Sequence, residues 1–348
     1  MAIVIGCDVH SRFQQVAVME METGELLQEQ RLEHEGDRVR SFYQSWGEPV
    51  TVAIEATGYT LWFAQLLEEL GHRLVAGDAA RLRAMEPRRQ KTDRRDALHL
   101  ASVFAAGRYP AIWMPDMARR DLRHLLLHRH RLVRTRTQVK NHLHALAMNH
   151  GLCRKRALFS AAGRQRLEAL AMARFEGWRR AELLEWLDWL SGKLRTAEQA
   201  LGQQLEAWPE AQRLTSHPGV GPVTALAWVA FVGEAARFSD SARLCSYLGL
   251  IPREASSGGR QRLGSISKQG NAFVRFLLVV AAQTAVRGDP ELGRWYRRLA
   301  AAKGRPRAKV AVARKLAVRM YWMSVRGVGY SERWRDGSTQ AGSSGPLA

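Results

Sequence analysis

IVIGCDVHSRFQQVAVMEMETGELLQEQRL, residues 3–32, decides the architecture. IVIGCDVH is a short apolar run that ends in polar residues, FQQVAVMEM is rich in β-formers, and ETGE before LLQEQRL has turn chemistry. Three strands in a meander are predicted. Helical spacing through Val39 and Trp46 then leads to VTVAIEA, an apolar, β-branched run of buried-strand length. A helix near Leu61 to Leu70, a short strand RLVAG and a helix opening on KTDRRDALHLA (residues 91–101) follow. Three consecutive strands and then alternating helices and strands is the order of an RNase H-like α/β sheet.

Composition narrows the function. The chain has 348 residues, 46% hydrophobic and 25% charged, a globular mixture long enough for more than one core. Lys and Arg outnumber Asp and Glu 53 to 33, a formal charge of +20. A surplus of that size, read as spread over most of the length, points to a partner rich in phosphate. Three scattered cysteines, Cys7, Cys153 and Cys245, form no CxxC pair, which fits a reducing cytosol rather than a disulfide scaffold or zinc finger. No apolar run approaches the roughly 20 residues of a membrane span, and the start MAIVIGCDVHS lacks the basic region of a signal peptide. A cytoplasmic protein without a membrane partner is expected.

From about Asp116 to Gln204 strand signals stop, and two stretches with apolar residues near helical spacing suggest long helices forming an antiparallel pair. His124, His128, His130, His142 and His144 lie in the first of them without carboxylate or cysteine company, so solvated or phosphate-facing positions are expected. HPGVGPVTA resembles the turn of a helix-hairpin-helix, in which Gly219 and Gly221 would let backbone N–H groups approach a phosphate. An ordinary glycine turn between core helices is the equal alternative. A helix at Ser241 to Leu248, a polar loop REASSGGRQRLGSISKQGN and the helix AFVRFLLVVAAQTAV follow, and the tail from residue 331 is too polar to pack.

Four acids stand at informative places. Asp8 ends the first predicted strand, Glu55 ends the fourth, and Asp93 and Asp96 share one face at the start of a helix. Where the first and fourth strands are neighbours, those ends converge, and hard oxygen ligands there suit Mg²⁺. A pair of such ions can align the attacking and leaving oxygens of a phosphodiester exchange. Taken singly, each acid has a plain structural reading: a turn cap, an arginine partner, or, for Asp93, a helix N-cap. The joint order D, E, D-x-x-D on those elements favours metal. In the polar loop, Ser256 and Ser257 stand beside two glycines among Arg253, Arg260, Arg262 and Lys268. A serine there needs a base or a metal to become a nucleophile, whereas arginine supplies charge for a phosphoryl transition state. A phosphate-binding loop without chemistry remains the plain reading of that loop alone.

Together, GCDVHS, AIEATG, KTDRRDALHLA, HPGVGPVTA, GLIPREASSGG and ISKQGNAFVR resemble the DEDD transposases related to the Piv DNA invertase, insertion-sequence family one-ten and its eleven-eleven branch, over roughly residues 3–285. The resemblance implies a RuvC-like DEDD domain (1–115), a helical coiled-coil connector (116–208), a mainly helical transposase domain carrying the serine (209–330) and a disordered tail (331–348). It places the Mg²⁺-binding tetrad on Asp8, Glu55, Asp93 and Asp96. The nucleophile is Ser257 if aligned on the serine next to Gly258, or Ser256 if aligned on family members with a Ser-Thr-Gly-Gly loop. It further implies a covalent serine–DNA intermediate, a bridge RNA that pairs with donor and target DNA, and homodimers assembling to tetramers in the bacterial cytoplasm, at the nucleoid when active. Competing readings are a RuvC-like junction nuclease and a non-enzymatic nucleic-acid scaffold. A sugar-kinase-like ATPase is disfavoured because DVHSRFQQ lacks a phosphate loop.

Overall fold

The computed structural model describes residues 2–56, 58, 60–86, 92–152, 157–254 and 262–330. The chain divides into two compact units, Met1–Met114 and Pro115–Ala348. The division corrects the reading of charge. The first 114 residues carry 13 Lys and Arg against 16 Asp and Glu, a formal −3, whereas the remainder carries 40 against 17, a formal +23.

In the first unit, β1 (Ile3–Val9), β2 (Phe13–Glu20) and β3 (Leu26–Glu33) precede α1 (Arg38–Gln44), β4 (Thr51–Glu55), α2 (Leu61–Glu69), β5 (Arg73–Gly77), α3 (Ala79–Ala84) and α4 (Asp93–Ala105). The sheet order is β3-β2-β1-β4-β5. The meander pairs antiparallel, β4 pairs with β1 in parallel and β5 with β4 in parallel. Period-two alternation sets the two faces. Ile5, Cys7, Val52 and Ile54 pack with Tyr43, Phe63 and Leu67 on one side, while Val4 and Ala53 meet Ala101 of α4 on the other. β3 lies at the edge, where Gln28, Gln30 and Arg31 are exposed together with Leu26 and Leu27.

Gly6 sets the height of α4 over the sheet. A Cβ at Gly6 would stand 2.0 Å from the Ala97 carbonyl oxygen and 2.6 Å from the Ala101 nitrogen, backbone atoms that cannot move aside. Gly6→Ala is therefore expected to cost at least about 3 kcal/mol, read by urea unfolding, a larger loss than an ordinary strand glycine gives.

The second unit is helical: α5 (Met117–Asn149), α6 (Ala161–Glu168), α7 (Arg174–Ala207), α8 (Pro209–Thr215), α9 (Pro222–Phe231) and α10 (Ser241–Tyr247), then β6 (Pro252–Glu254), β7 (Leu263–Ile266), α11 (Ala272–Gly288), α12 (Pro290–Lys303) and α13 (Arg305–Arg326). α5 and α7 run antiparallel, because Arg129 meets Glu198 at 2.6 Å while His150 meets Glu176 at 3.3 Å. Leu132, Val139 and Leu143 of α5 pack on Leu187, Leu190 and Leu194 of α7. Nearer the other end, Leu122, Leu126 and Leu201 join a second core built on α9, whose Trp228 is fully buried, with α11 and α13. His130 departs from the solvated expectation: its ring lies 4.9 Å from Phe273 and 5.4 Å from Phe276, and burial lowers its pKa. The described flanks of the polar loop are extended, β6 and β7 pairing antiparallel. The tail call, residues 331–348, lies outside the described residues.

The glycine turn between α8 and α9 serves packing. Gly219 has φ +95° and its missing Cβ would lie 2.5 Å from the Ala285 nitrogen of α11. Gly221 leads into α9 with open space where a Cβ would be.

Beside that turn sits a buried polar cluster. His217 is 1% exposed; its Nδ1 lies 2.8 Å from the Pro218 carbonyl, which can only accept, so Nδ1 carries the hydrogen. Nε2 then accepts from the Arg319 guanidinium at 3.4 Å. Burial first, and then that cation, push the His217 pKa down to about 4, against the opposing pull of the Pro218 carbonyl and Asp289. Asp289 itself is held at about 2: burial would raise it, but bonds from Tyr330, the Leu292 N–H and Arg319 outweigh burial. Because the unfolded chain protonates His217 near 6.5 and the folded chain resists until about 4, stability is full above pH 6.5 and falls as pH drops between those values. A loss of about 3 kcal/mol across that window is expected in thermal melts of the wild type, and a flatter profile in His217→Gln. The Asp289 contribution is lost only below about pH 3.8, so the two windows separate.

Candidate active site

The strand register aligns Cys7 with Ile54 and Glu55 with Gly77, so Asp8 and Glu55 close adjoining parallel strands at the same end of the sheet. Asp8 is two residues from Gly6 and therefore on its face, the face that α4 covers. Contact between α4 and β1 at Gly6 places the first turn of α4 beside those strand ends. Thr92, not Asp93, is the N-cap, its Oγ1 accepting the Arg95 N–H at 3.4 Å. Both aspartates are consequently released from capping, and they stand in the first turn of α4.

Asp8, Glu55 and Asp96 line one cleft with Arg83, Glu86 and His99. Asp93 comes in through His10: the His10 Nε2 lies 3.0 Å from Asp8 Oδ2 and 3.4 Å from Asp93 Oδ1. Ligand atoms of Asp8, His10 and Asp93 fall within 4.8 Å of one another. The Asp8 carboxyl is raised above its ordinary value, by burial first and then by the charges of Asp96 and Asp93, against the pull of His10. A half-buried carboxylate crowded by others of its sign is an arrangement that a cation relieves. The donor set, four carboxylates with one imidazole at the rim, fits a hard divalent ion. Arg83 reaches Glu55 only at 3.9 Å from a largely exposed position, too loose to neutralise it.

Ser256, Ser257 and Arg260 lie outside the described residues. Of their flanks, Arg253 on β6 is exposed and donates to the Ser267 carbonyl at 3.4 Å, and Arg262 is exposed ahead of β7. Lys268 holds φ +57°, the one non-glycine residue at positive φ among the described residues. Its N–H donates to the Gly249 carbonyl at 3.2 Å, so backbone pairing sustains that conformation.

Two family models match the chain. A DEDD transposase model covers residues 5–149, and a model of the IS116/IS110/IS902 transposase family covers residues 211–297. A probable family 20 transposase of Pseudomonas aeruginosa is 32% identical over 262 residues, 72% of this chain and 75% of that one. This chain belongs to the IS116/IS110/IS902 family of transposases. The transposase for insertion sequence element IS1111A of Coxiella burnetii is 31% identical, over 65% of each chain. A solved structure of T. thermophilus RuvC in complex with a Holliday junction substrate overlays 32% of this chain and 100% of that chain, at a TM-score of 0.23 and 13% identity. The fold assignment rests on strand order and register, not on that overlay.

This IS116/IS110/IS902 transposase is a DNA transposase whose first unit is a mixed α/β sheet and whose second is mostly helical. Its sequence marks the acids but conceals their neighbours. His10 was legible in hindsight from DVH, where an imidazole two residues after the acid shares its side of the strand. Glu86 and His99 had no such signal, since their place in the cleft depends on how α3 and α4 lie over the sheet.

Proposed function

We propose that Asp8, Glu55, Asp93 and Asp96 hold Mg²⁺ and that the hydroxyl of a serine of the 256–257 pair attacks a DNA phosphodiester, breaking its P–O3′ bond: the 3′ oxygen leaves as a hydroxyl, a 5′-phosphoserine link forms, and attack of a 3′ hydroxyl on that link later rejoins the strand and releases the serine. The observation that carries the reading is the convergence of Asp8, Glu55 and Asp96 on one cleft with Asp93 joined through His10. When bound, Mg²⁺ supplies charge neutralisation and alignment of phosphate oxygens. Asp8, half-buried, positions its carboxylate beside the scissile phosphate, and His10 bridges Asp8 and Asp93. Arg253, Arg260, Arg262 and Lys268 receive the phosphate near the serine, and Gly221 offers the open side of the α8–α9 turn to the backbone of DNA. Residues 1–115, 116–208 and 209–330 act as acid-bearing, connecting and serine-bearing parts.

Guidance by a bridge RNA, and homodimers pairing into tetramers whose composite site joins the acids of one protomer to the serine of another, complete the proposal. The +23 charge of residues 115–348 supports a second polyanion besides DNA. Purified chain, guide RNA and DNA with Mg²⁺ should yield a protein–DNA adduct on a denaturing gel, and chelation should remove it. Cleaved DNA with free 3′ hydroxyl ends and no adduct would support the hydrolytic, junction-nuclease reading instead.

A further inference from the structure

His10 faces two carboxylates with one nitrogen. Its Nε2 lies 3.0 Å from Asp8 Oδ2 and 3.4 Å from Asp93 Oδ1. A ring nitrogen carries at most one hydrogen, so it can bond one of these oxygens well and leaves the other without it. Both separations are close to those of a different arrangement. Adjacent ligand atoms of an octahedral ion at about 2.1 Å stand about 3.0 Å apart, and one cation among the three atoms would serve all of them at once. The ligand atoms of Asp8, His10 and Asp93 gather within 4.8 Å of one another.

The imidazole is also held in place, and ligands to a metal are oriented by their neighbours. The His10 backbone N–H donates to the Phe13 carbonyl at 2.9 Å, closing the turn between β1 and β2. The ring stacks on that of Phe13, with centroids 4.5 Å and planes 27° apart, and the Arg31 guanidinium lies over Phe13 at 3.6 Å. A solvated turn residue needs no such packing. His99, which lines the cleft, instead turns its Nε2 to the Leu82 carbonyl at 3.2 Å, an acceptor, so that nitrogen serves as a donor.

We infer that His10 is itself a metal ligand: Asp8, His10 and Asp93 form a nitrogen-bearing locus that prefers a transition-series divalent cation such as Mn²⁺ to Mg²⁺, beside the all-oxygen locus of Asp8, Glu55 and Asp96. An imidazole adds little for Mg²⁺, a hard ion that favours oxygen and water, and more for ions along the first transition row. Asp8 belongs to both groups, so its two carboxylate oxygens bridge the loci. This role of His10 rests on the acids holding metal, the reading proposed above, and its readout is the ion's ligand set and not the adduct.

The full chain is loaded with Mn²⁺ and read by pulsed electron paramagnetic resonance, with no DNA present. Modulation from a directly bound ¹⁴N is expected, and ¹⁵N-labelled histidine should shift it in the wild type, so that measurement does not depend on a variant folding. His10→Gln keeps a hydrogen-bond donor within reach of Asp8. It should nonetheless remove the modulation and weaken Mn²⁺ binding at least ~10-fold, while Mg²⁺ affinity, measured by competition, moves less than about threefold. His99→Gln should keep the modulation. Mn²⁺ bound without ¹⁴N modulation, modulation that survives His10→Gln, or equal losses of Mn²⁺ and Mg²⁺ affinity would each overturn the role of His10 and leave the acids as ligands. A chain that binds neither ion would overturn the metal reading itself, and this role with it.

Discussion

Asp8→Asn is expected to lower strand cleavage at least about 1,000-fold while leaving DNA affinity within about twofold. The substitution keeps the shape and removes the charge at the residue that occupies both arrangements at the site, the cleft with Glu55 and Asp96 and the cluster with His10 and Asp93. Stability should move the other way. Burial and two like charges raise the Asp8 pKa, so its ionised form is a burden on the folded state at neutral pH. The signature of a metal ligand is therefore lost cleavage with an unchanged or higher melting temperature. Lost cleavage with a lower melting temperature would mean that Asp8 supports the fold, and undiminished transposition would favour the scaffold reading.

The second large effect concerns the serines. Ser256→Ala together with Ser257→Ala should abolish the covalent adduct completely, because a methyl group has no oxygen to attack phosphorus. Each single variant then identifies the nucleophile, one retaining the adduct and the other losing it. Alanine at both positions leaves the acidic cleft untouched, so residual hydrolysis with free 3′ ends would show that water can replace serine there. An adduct that persists in the double variant would rule out both serines.

The sheet was legible because its strands are short apolar runs separated by turn residues, and because a meander followed by alternating elements admits few strand orders. Asp8 and Glu55 were legible for the same reason, as polar ends of apolar strands. Asp93 is a different matter: sequence allows it to cap α4, and only the geometry of Thr92 removes it from that duty. Gly219 resembled a phosphate contact, but the path of α11 past its α-carbon, a tertiary contact 66 residues away in sequence at Ala285, has no local signature. The ribbon of β6 and β7 was hidden because glycine, serine and arginine give no alternating pattern. The exposed rings of α7 have no separate signal in the sequence, since apolar spacing alone does not tell a core stripe from a second one beside it.

The division of charge between the two units has a consequence for restraint. The acids proposed to hold metal belong to a body of formal charge −3, which gains little from the field of DNA, whereas the remainder of the chain, at +23, is drawn to it strongly. In the proposed reaction the stretch that captures DNA also brings the serine, so the acids meet a strand only where the basic part has already delivered it. Severed at residue 114, the acidic body would keep its four carboxylates and lose both the serine pair and the charge that draws in DNA, a half-site with neither nucleophile nor leash.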